Sequence, residues 1–254
     1  MIHIKSEEQI AKMRIGGKML ANVLFETLAN IKPGVTELAI DEVAERLILQ
    51  KGGEPGFKRV KGYKNSICVA TNEIVVHGIP TKREFTKGDL VCIDCGVFYG
   101  GFHTDMAETI YLDDPKDPQR KQKQEFLATG KHALEEAIKE AKAGNRVGHI
   151  SEVIQRIVEG AGYAVVRSLV GHGVGRELHE DPEVPGFLER SIVKTPLLKE
   201  GMTIAIEIIY NMGKPEVEYA TGDGWTIKTA DGSLSAVFER TVLITKDLPE
   251  VLTV

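Results

Sequence analysis

No stretch of this sequence approaches the eighteen or so apolar residues that would cross a bilayer, and the opening segment MIHIKSEEQIAKM lacks the apolar core of a secretory signal. A cytoplasmic protein without a membrane anchor is therefore the expectation. Cysteine is scarce, and three residues, an odd number, do not make a disulfide framework. Cys92 and Cys95 form a C-x-x-C, but both lie in the apolar run LVCIDCGVF. Strand alternation sends them to opposite faces there, instead of placing a redox pair at a helix N-terminus. A basic excess is missing too: 32 Lys and Arg stand against 37 Asp and Glu, leaving a net charge of −5. That balance provides no field to attract nucleic acid or an anionic membrane. What is present is a chain of 254 residues, 42% of them apolar, which can fill the core of one large α/β domain or two small ones.

Ser6 and Gln9 make a capping box ahead of Ile10, Met13, Leu20 and Leu24, and Pro33-Gly34 should stop that helix. A second helix is expected in TELAIDEVAERLILQ, closed by Gly52. A glycine-rich, basic loop then leads to the strand-like stretches SICVATNEIVV, DLVCIDCGVFY and DMAETIYL, followed by a charged helix over about 119–143. The second half follows the same plan, with a helix in VGHISEVIQRIVE and strands in MTIAIEIIY, WTIKT and SAVFERTVLI. The two halves, roughly 1–115 and 116–254, are related in sequence. KPGVTELAIDEVAERLILQKGG from Lys32 aligns without a gap on KAGNRVGHISEVIQRIVEGAGY from Lys142, and KGDLVCIDCG on EGMTIAIEII, which sets Asp94 opposite Glu207. A duplicated α/β half with a pseudo-twofold axis, closed into a single domain over 1–254, is the simplest architecture, with ligands bound between the halves.

Acidic residues sit inside the apolar strands. Asp94 and Asp105 pair directly across a hairpin if its centre lies between Tyr99 and Gly100, and like charges so placed repel unless a cation separates them. Glu207 lies in TIAIEIIY and Glu239 in SAVFERTVLI. A carboxylate in such a run costs several kcal/mol unless it is paired or metal-bound. Each acid alone could face water on a half-exposed strand, as Glu239 beside Arg240 would, but four such acids, two per half, weaken that explanation. His172 and His179 fall in GHGVGRELHE, where glycine on both sides of His172 suits a tight backbone turn, and His77 lies in NEIVVHGIP. The other histidines, His103 among them, carry no comparable local signal. One imidazole with four carboxylates suits two divalent cations, and Co, Mn, Fe, Zn and Ni all remain open. Such a pair activates water for hydrolysis, of an amide or of a phosphate ester as far as these residues alone decide.

Over nearly its whole length the chain resembles the type I methionine aminopeptidases, through NEIVVHGIP, IDCGVFYGGFHTD, GHGVGRELHE, TIAIEI, GDGWTIKT and SAVFERT in the family's order and spacing. The resemblance implies the pita-bread fold, a pseudo-symmetric curved, mainly antiparallel sheet covered by helices on one side. It also implies removal of an initiator methionine that precedes a small second residue, by hydroxide activated between two metals. Asp94 would chelate one metal, Asp105 and Glu239 would bridge both, and His172 with Glu207 would complete the other. Glu207 would shuttle the proton, His179 would stabilise the tetrahedral intermediate, and His77 would contact the scissile amide. The methionine pocket would be lined by Tyr63, Cys68, Leu178 and Trp225, with Phe57 beside them.

This chain departs from the family at Glu207-Ile208, where Glu-Pro is common, at Leu178, where bacterial relatives often carry an aromatic residue, and in the pocket loop KGYKNS. The lack of a zinc-binding N-terminal extension points to the bacterial type. The expected partner is the N-terminal methionine of nascent polypeptides, met by a monomer that associates transiently with ribosomes. Two rivals stand beside this reading: a proline-directed aminopeptidase of the same fold, and a non-catalytic peptide-binding relative, which loss of metal ligands would mark.

Overall fold

Ser6 begins the first helix as its spacing predicts: its hydroxyl accepts from Gln9 N–H and its own N–H donates to Gln9 Oε1. In the computed structural model, which describes residues 2–220 and 222–254, this helix is α1 (Glu7–Ala29). It stops short of Pro33 in a tightened last turn, where Asn30 N–H donates to Thr27 O and Ile31 N–H to Leu28 O. The rest of the first half comprises α2 (Glu37–Gln50), β1 (Glu54–Pro55), β2 (Ile67–Thr71), β3 (Ile74–Val76), β4 (Leu90–Tyr99) and β5 (Phe102–Tyr111). SICVATNEIVV thus forms two strands. Asn72, in the left-handed region with φ 60°, breaks it, and its side chain bonds Asp89 and Leu90 N–H.

The second half comprises α3 (Arg120–Lys139), α4 (Val147–Gly160), β6 (Ala164–Val165), β7 (Gly171–Gly173), β8 (Glu180–Val184), β9 (Thr203–Asn211), β10 (Val217–Tyr219), β11 (Ile227–Thr229), β12 (Ser235–Leu243) and β13 (Glu250–Val251). β4 and β5 form one antiparallel hairpin, and β9 and β12 form the corresponding pair. The internal repeat is visible bond by bond. Thr36 bridges Glu84 in the first half as Arg146 bridges Leu197 in the second, and Gly34 N–H donates to Phe85 O as Gly144 N–H donates to Leu198 O. Where β5 meets β12, two threonines tie the halves reciprocally: Thr109 Oγ1 bonds both backbone groups of Val237, and Thr241 Oγ1 bonds both backbone groups of Asp105.

The period of two decides what each face carries. Val91, Ile93, Cys95 and Val97 of β4 pack with α1 and α2 in one core. Ile204, Ile206, Ile208 and Tyr210 of β9 pack with α3 and α4 in another. The alternate residues, Cys92 and Asp94, Asp105 and Ala107, Glu207 and Ile209, Val237 and Glu239, are left on the face away from the helices. Cys92 and Cys95 therefore do part to opposite faces, and both are free thiols.

The hairpin register differs from the sequence expectation by two residues. Asp94 pairs with Ala107 and Asp105 with Gly96, so the two aspartates are diagonal neighbours on one face, not direct partners. The turn lies at Gly100-Gly101, with φ of 58° and 93°, instead of at Tyr99-Gly100. A two-residue hairpin turn with both central residues at positive φ suits two glycines, and Tyr99 would be strained there. Because the shift is even, the shared face survives.

Candidate metal centre and substrate pocket

All four strand acids and His172 line one cavity on the helix-free face. Glu239 stands directly across from Glu207 in the β9–β12 ladder, and β7 sets His172 beside Ala205 of β9. Ligand atoms of Asp105, His172 and Glu239 lie within 4.8 Å of one another. The Nε2 of His172 is 3.5 Å from Glu207 Oε1 and 3.9 Å from Asp105 Oδ2. Its Nδ1 lies 2.8 Å from Gly173 O, which assigns the proton to Nδ1 and leaves the Nε2 lone pair facing the carboxylates. Glycine flanks His172 for a reason other than the tight turn expected: the segment is a strand. A Cβ at Gly171 would come within 2.5 Å of Ala205 O, and one at Gly173 within 2.2 Å of Asp181 O.

The electrostatics are those of an acid cluster awaiting positive charge. Burial pushes Asp94 up to about 7. Burial first, then neighbouring carboxylates, raises Asp105, Glu207 and Glu239 well above the usual carboxylate range. Burial, and secondly His179, pushes His172 down to about 4, so it is neutral and able to ligate. Asp94 Oδ1 and Glu239 Oε1 are buried without a hydrogen-bond partner among the described residues. Oxygen-rich donors, two of them orphaned, around a neutral imidazole fit divalent cations. Glu239 is 3% exposed, which removes the wet-face alternative for it.

Next to the acids the same cavity turns apolar. Phe57, Tyr63, Cys68 and Leu178 form a buried cluster with Trp225 packed against it. Cys68 sits directly across from Asp94 in the β2–β4 ladder, so the apolar end abuts the acids. Tyr63 meets Trp225 edge to face at 5.2 Å, and its hydroxyl donates to Ile67 O at 2.8 Å. Asp223 accepts from Trp225 N–H, Thr226 N–H and the Thr226 hydroxyl, holding the GDGWT turn in place.

His77 also lines the cavity, at φ 56°, a conformation that costs a non-glycine residue strain. The next residue explains the path: a Cβ on Gly78 would fall 2.0 Å from Val69 O, so the chain is pressed against β2. Burial, and secondly His179, holds the His77 imidazole below its ordinary pKa. His179 is exposed in the cavity wall, its ring centroid 4.3 Å from that of His172. The loop that carries it is tied from a distance. Glu180 accepts Glu177 N–H and forms a buried 2.8 Å ion pair with Lys5, whose stem lies over Gly175.

Every residue singled out in the sequence thus reaches one cavity. Ala70, Val75, Cys92 and Val237 also line it and were missed, because apolar residues in strands read as core. His103 was passed over as well. It is 4% exposed, and burial with the charge of Arg59 pushes it down to about 4 in a groove that shares Leu178 and His179 with the cavity.

Fold and site together define a metal-dependent hydrolase built on the pita-bread plan. The model of metallopeptidase family M24 matches residues 11–246. The methionine aminopeptidase of Clostridium perfringens is 41% identical over 253 residues, covering 100% of this chain and 99% of its own. The crystal structure of methionine aminopeptidase from Thermotoga maritima superposes with a TM-score of 0.94 at 41% identity, over 100% of this chain and 99% of that one. A prolidase from Pyrococcus horikoshii shares the fold alone, at TM-score 0.78 and 24% identity, and this chain spans 63% of it. The chain belongs to metallopeptidase family M24, among its methionine aminopeptidases.

Proposed function

We propose that this chain removes the N-terminal methionine from polypeptides whose second residue is small. The observation that carries the reading is the continuity of one cavity, apolar at Tyr63, Cys68, Leu178 and Trp225 and lined beyond them by four carboxylates and the His172 imidazole. Asp94, Asp105, His172, Glu207 and Glu239 would hold the cations there, Asp105 and Glu239 from the middle of the group. Cations held there lower the pKa of water and polarise the scissile carbonyl. Glu207 carries the proton from the attacking water toward the leaving amine. His179 steadies the charge that develops on the carbonyl oxygen, and His77 binds the scissile amide. The unbranched thioether of methionine suits a pocket with a thiol and aromatic edges. We take 1–254 as one catalytic domain, acting as a monomer in the cytoplasm on nascent chains, with transient ribosome association. No described helix is long and apolar enough to cross a membrane, as that reading requires.

The deciding experiment compares Met-Ala, Leu-Ala and Ala-Pro peptides with Mn²⁺ or Co²⁺ and with chelator. Metal-dependent cleavage of Met-Ala well ahead of the others is expected, faster with Gly, Ala or Ser in the second position than with Leu or Glu. Preference for Ala-Pro would establish the proline-directed rival, and no cleavage with metal bound the non-catalytic one.

Because Lys5 and Glu180 hold the loop of His179 from outside the cavity, Lys5→Met should act on turnover. About a tenfold loss in kcat is expected, with KM and bound metal nearly unchanged. Equal loss of metal and activity would make the pair a general prop of the fold.

A further inference from the structure

Charge in this chain is unevenly placed around the cavity. The segment FKRVKGYK carries Lys58, Arg59, Lys61 and Lys64 with no acid between Glu54 and Glu73, in a protein of net charge −5. Three of its residues, Phe57, Val60 and Tyr63, line the apolar pocket, so this basic segment borders it. Arg59, Lys61, Arg176 and Glu177 line a second groove, together with Phe98 and His103. Val60, Leu178 and His179 line both the groove and the cavity, so the two adjoin at the imidazole of His179.

The groove is cationic on balance. Arg59 lies over the Phe98 ring at 3.8 Å and reaches Glu54 at 3.0 Å, an exposed pair that leaves much of its charge available. Lys61 and Arg176 have no carboxylate partner among the described residues, and Glu177 is the single acid in the lining. His103 is neutral at physiological pH and adds no charge.

We propose that this groove receives the third and following residues of the substrate and favours acidic side chains there. The proposal rests on the aminopeptidase reading. With methionine in the apolar end and the scissile bond beside His179, the residues after the second leave past His179. An extended chain advances about 3.3 Å per residue, so the third to fifth residues run alongside Arg59, Lys61 and Arg176. Exposed cations give modest, salt-sensitive attraction, enough together for roughly a fivefold preference at low ionic strength.

The test uses the metal-loaded full chain and three peptide amides, Met-Ala-Asp-Glu-Ser, Met-Ala-Ser-Ser-Ser and Met-Ala-Lys-Arg-Ser, at low and high salt. The acidic peptide should lead the basic one about fivefold in kcat/KM, mainly through KM, and the lead should vanish at high salt. Arg59→Gln with Arg176→Gln should bring that ratio toward one. Equal rates at low salt, or a preference that survives the double substitution, would overturn the groove assignment while leaving methionine removal intact. Failure to cleave any of the three would overturn the aminopeptidase reading and the groove with it. Stronger inhibition by a short single-stranded RNA than by a non-cleavable acidic peptide would assign the cations to phosphates and refute the proposal.

Discussion

His179→Ala is expected to lower kcat for a Met-Ala peptide by on the order of 10²–10³ while the protein keeps its metal. The expectation follows from where the imidazole stands. Its ring is 4.3 Å from that of His172 but exposed in the cavity wall, whereas the four carboxylates and His172 are buried or nearly so. A group so placed can donate to an oxygen that becomes anionic as the carbonyl is attacked, a contact stronger in the transition state than in the bound substrate. Removing it should therefore leave KM within a few fold and metal stoichiometry unaltered. Metal analysis after dialysis beside steady-state kinetics checks both. If the variant loses metal along with activity, His179 is itself a ligand and the division of roles is wrong. Wild-type activity would remove His179 from the chemistry.

The site was legible in the sequence to the extent that its residues violate the pattern around them. Asp94, Asp105, Glu207 and Glu239 interrupt apolar strands, and the alternation that exposes them also states which face they share. Ala70, Val75, Cys92 and Val237 were not legible, because an apolar side chain in a strand obeys the pattern whether it faces a helix or a substrate. His103 escaped for a related reason: its groove is assembled from Arg59, Phe98 and Arg176, which only the folded chain brings together. The internal repeat gave the topology in advance, and the reciprocal bonds of Thr109 and Thr241 are its physical consequence. Register was the weak point. Face depends only on parity, but the opposition of Asp94 and Asp105 depended on which two residues could take positive φ, and glycine at 100 and 101 decided that.

Asp94→Asn should abolish metal-dependent hydrolysis yet leave the metal-free protein as stable as the parent at neutral pH, or more stable by about 1 kcal/mol. Burial raises the Asp94 carboxyl to about 7, against roughly 3.9 in an unfolded chain. A carboxyl with a raised folded pKa binds more protons folded than unfolded between those values, so metal-free stability should fall as pH rises from about 4 to 7 and stay low above. Asparagine removes that ionisation, although Asp105, Glu207 and Glu239 keep their own penalties. In chelator, the parent should therefore melt lower at pH 8 than at pH 5.5, and the variant should lose less over the same interval. Cations bound only by the folded state add about 2.7 kcal/mol at a hundredfold excess over Kd, which for a chain of this size is roughly 5–10 °C in Tm. The parent should show that gain with Mn²⁺ or Co²⁺ and the variant much less of it, since Asp94 is one ligand of the set. A parent whose melting ignores chelator, with a variant that melts far below it without metal, would make Asp94 a structural acid. The repulsion between diagonal carboxylates would then have another remedy than a cation.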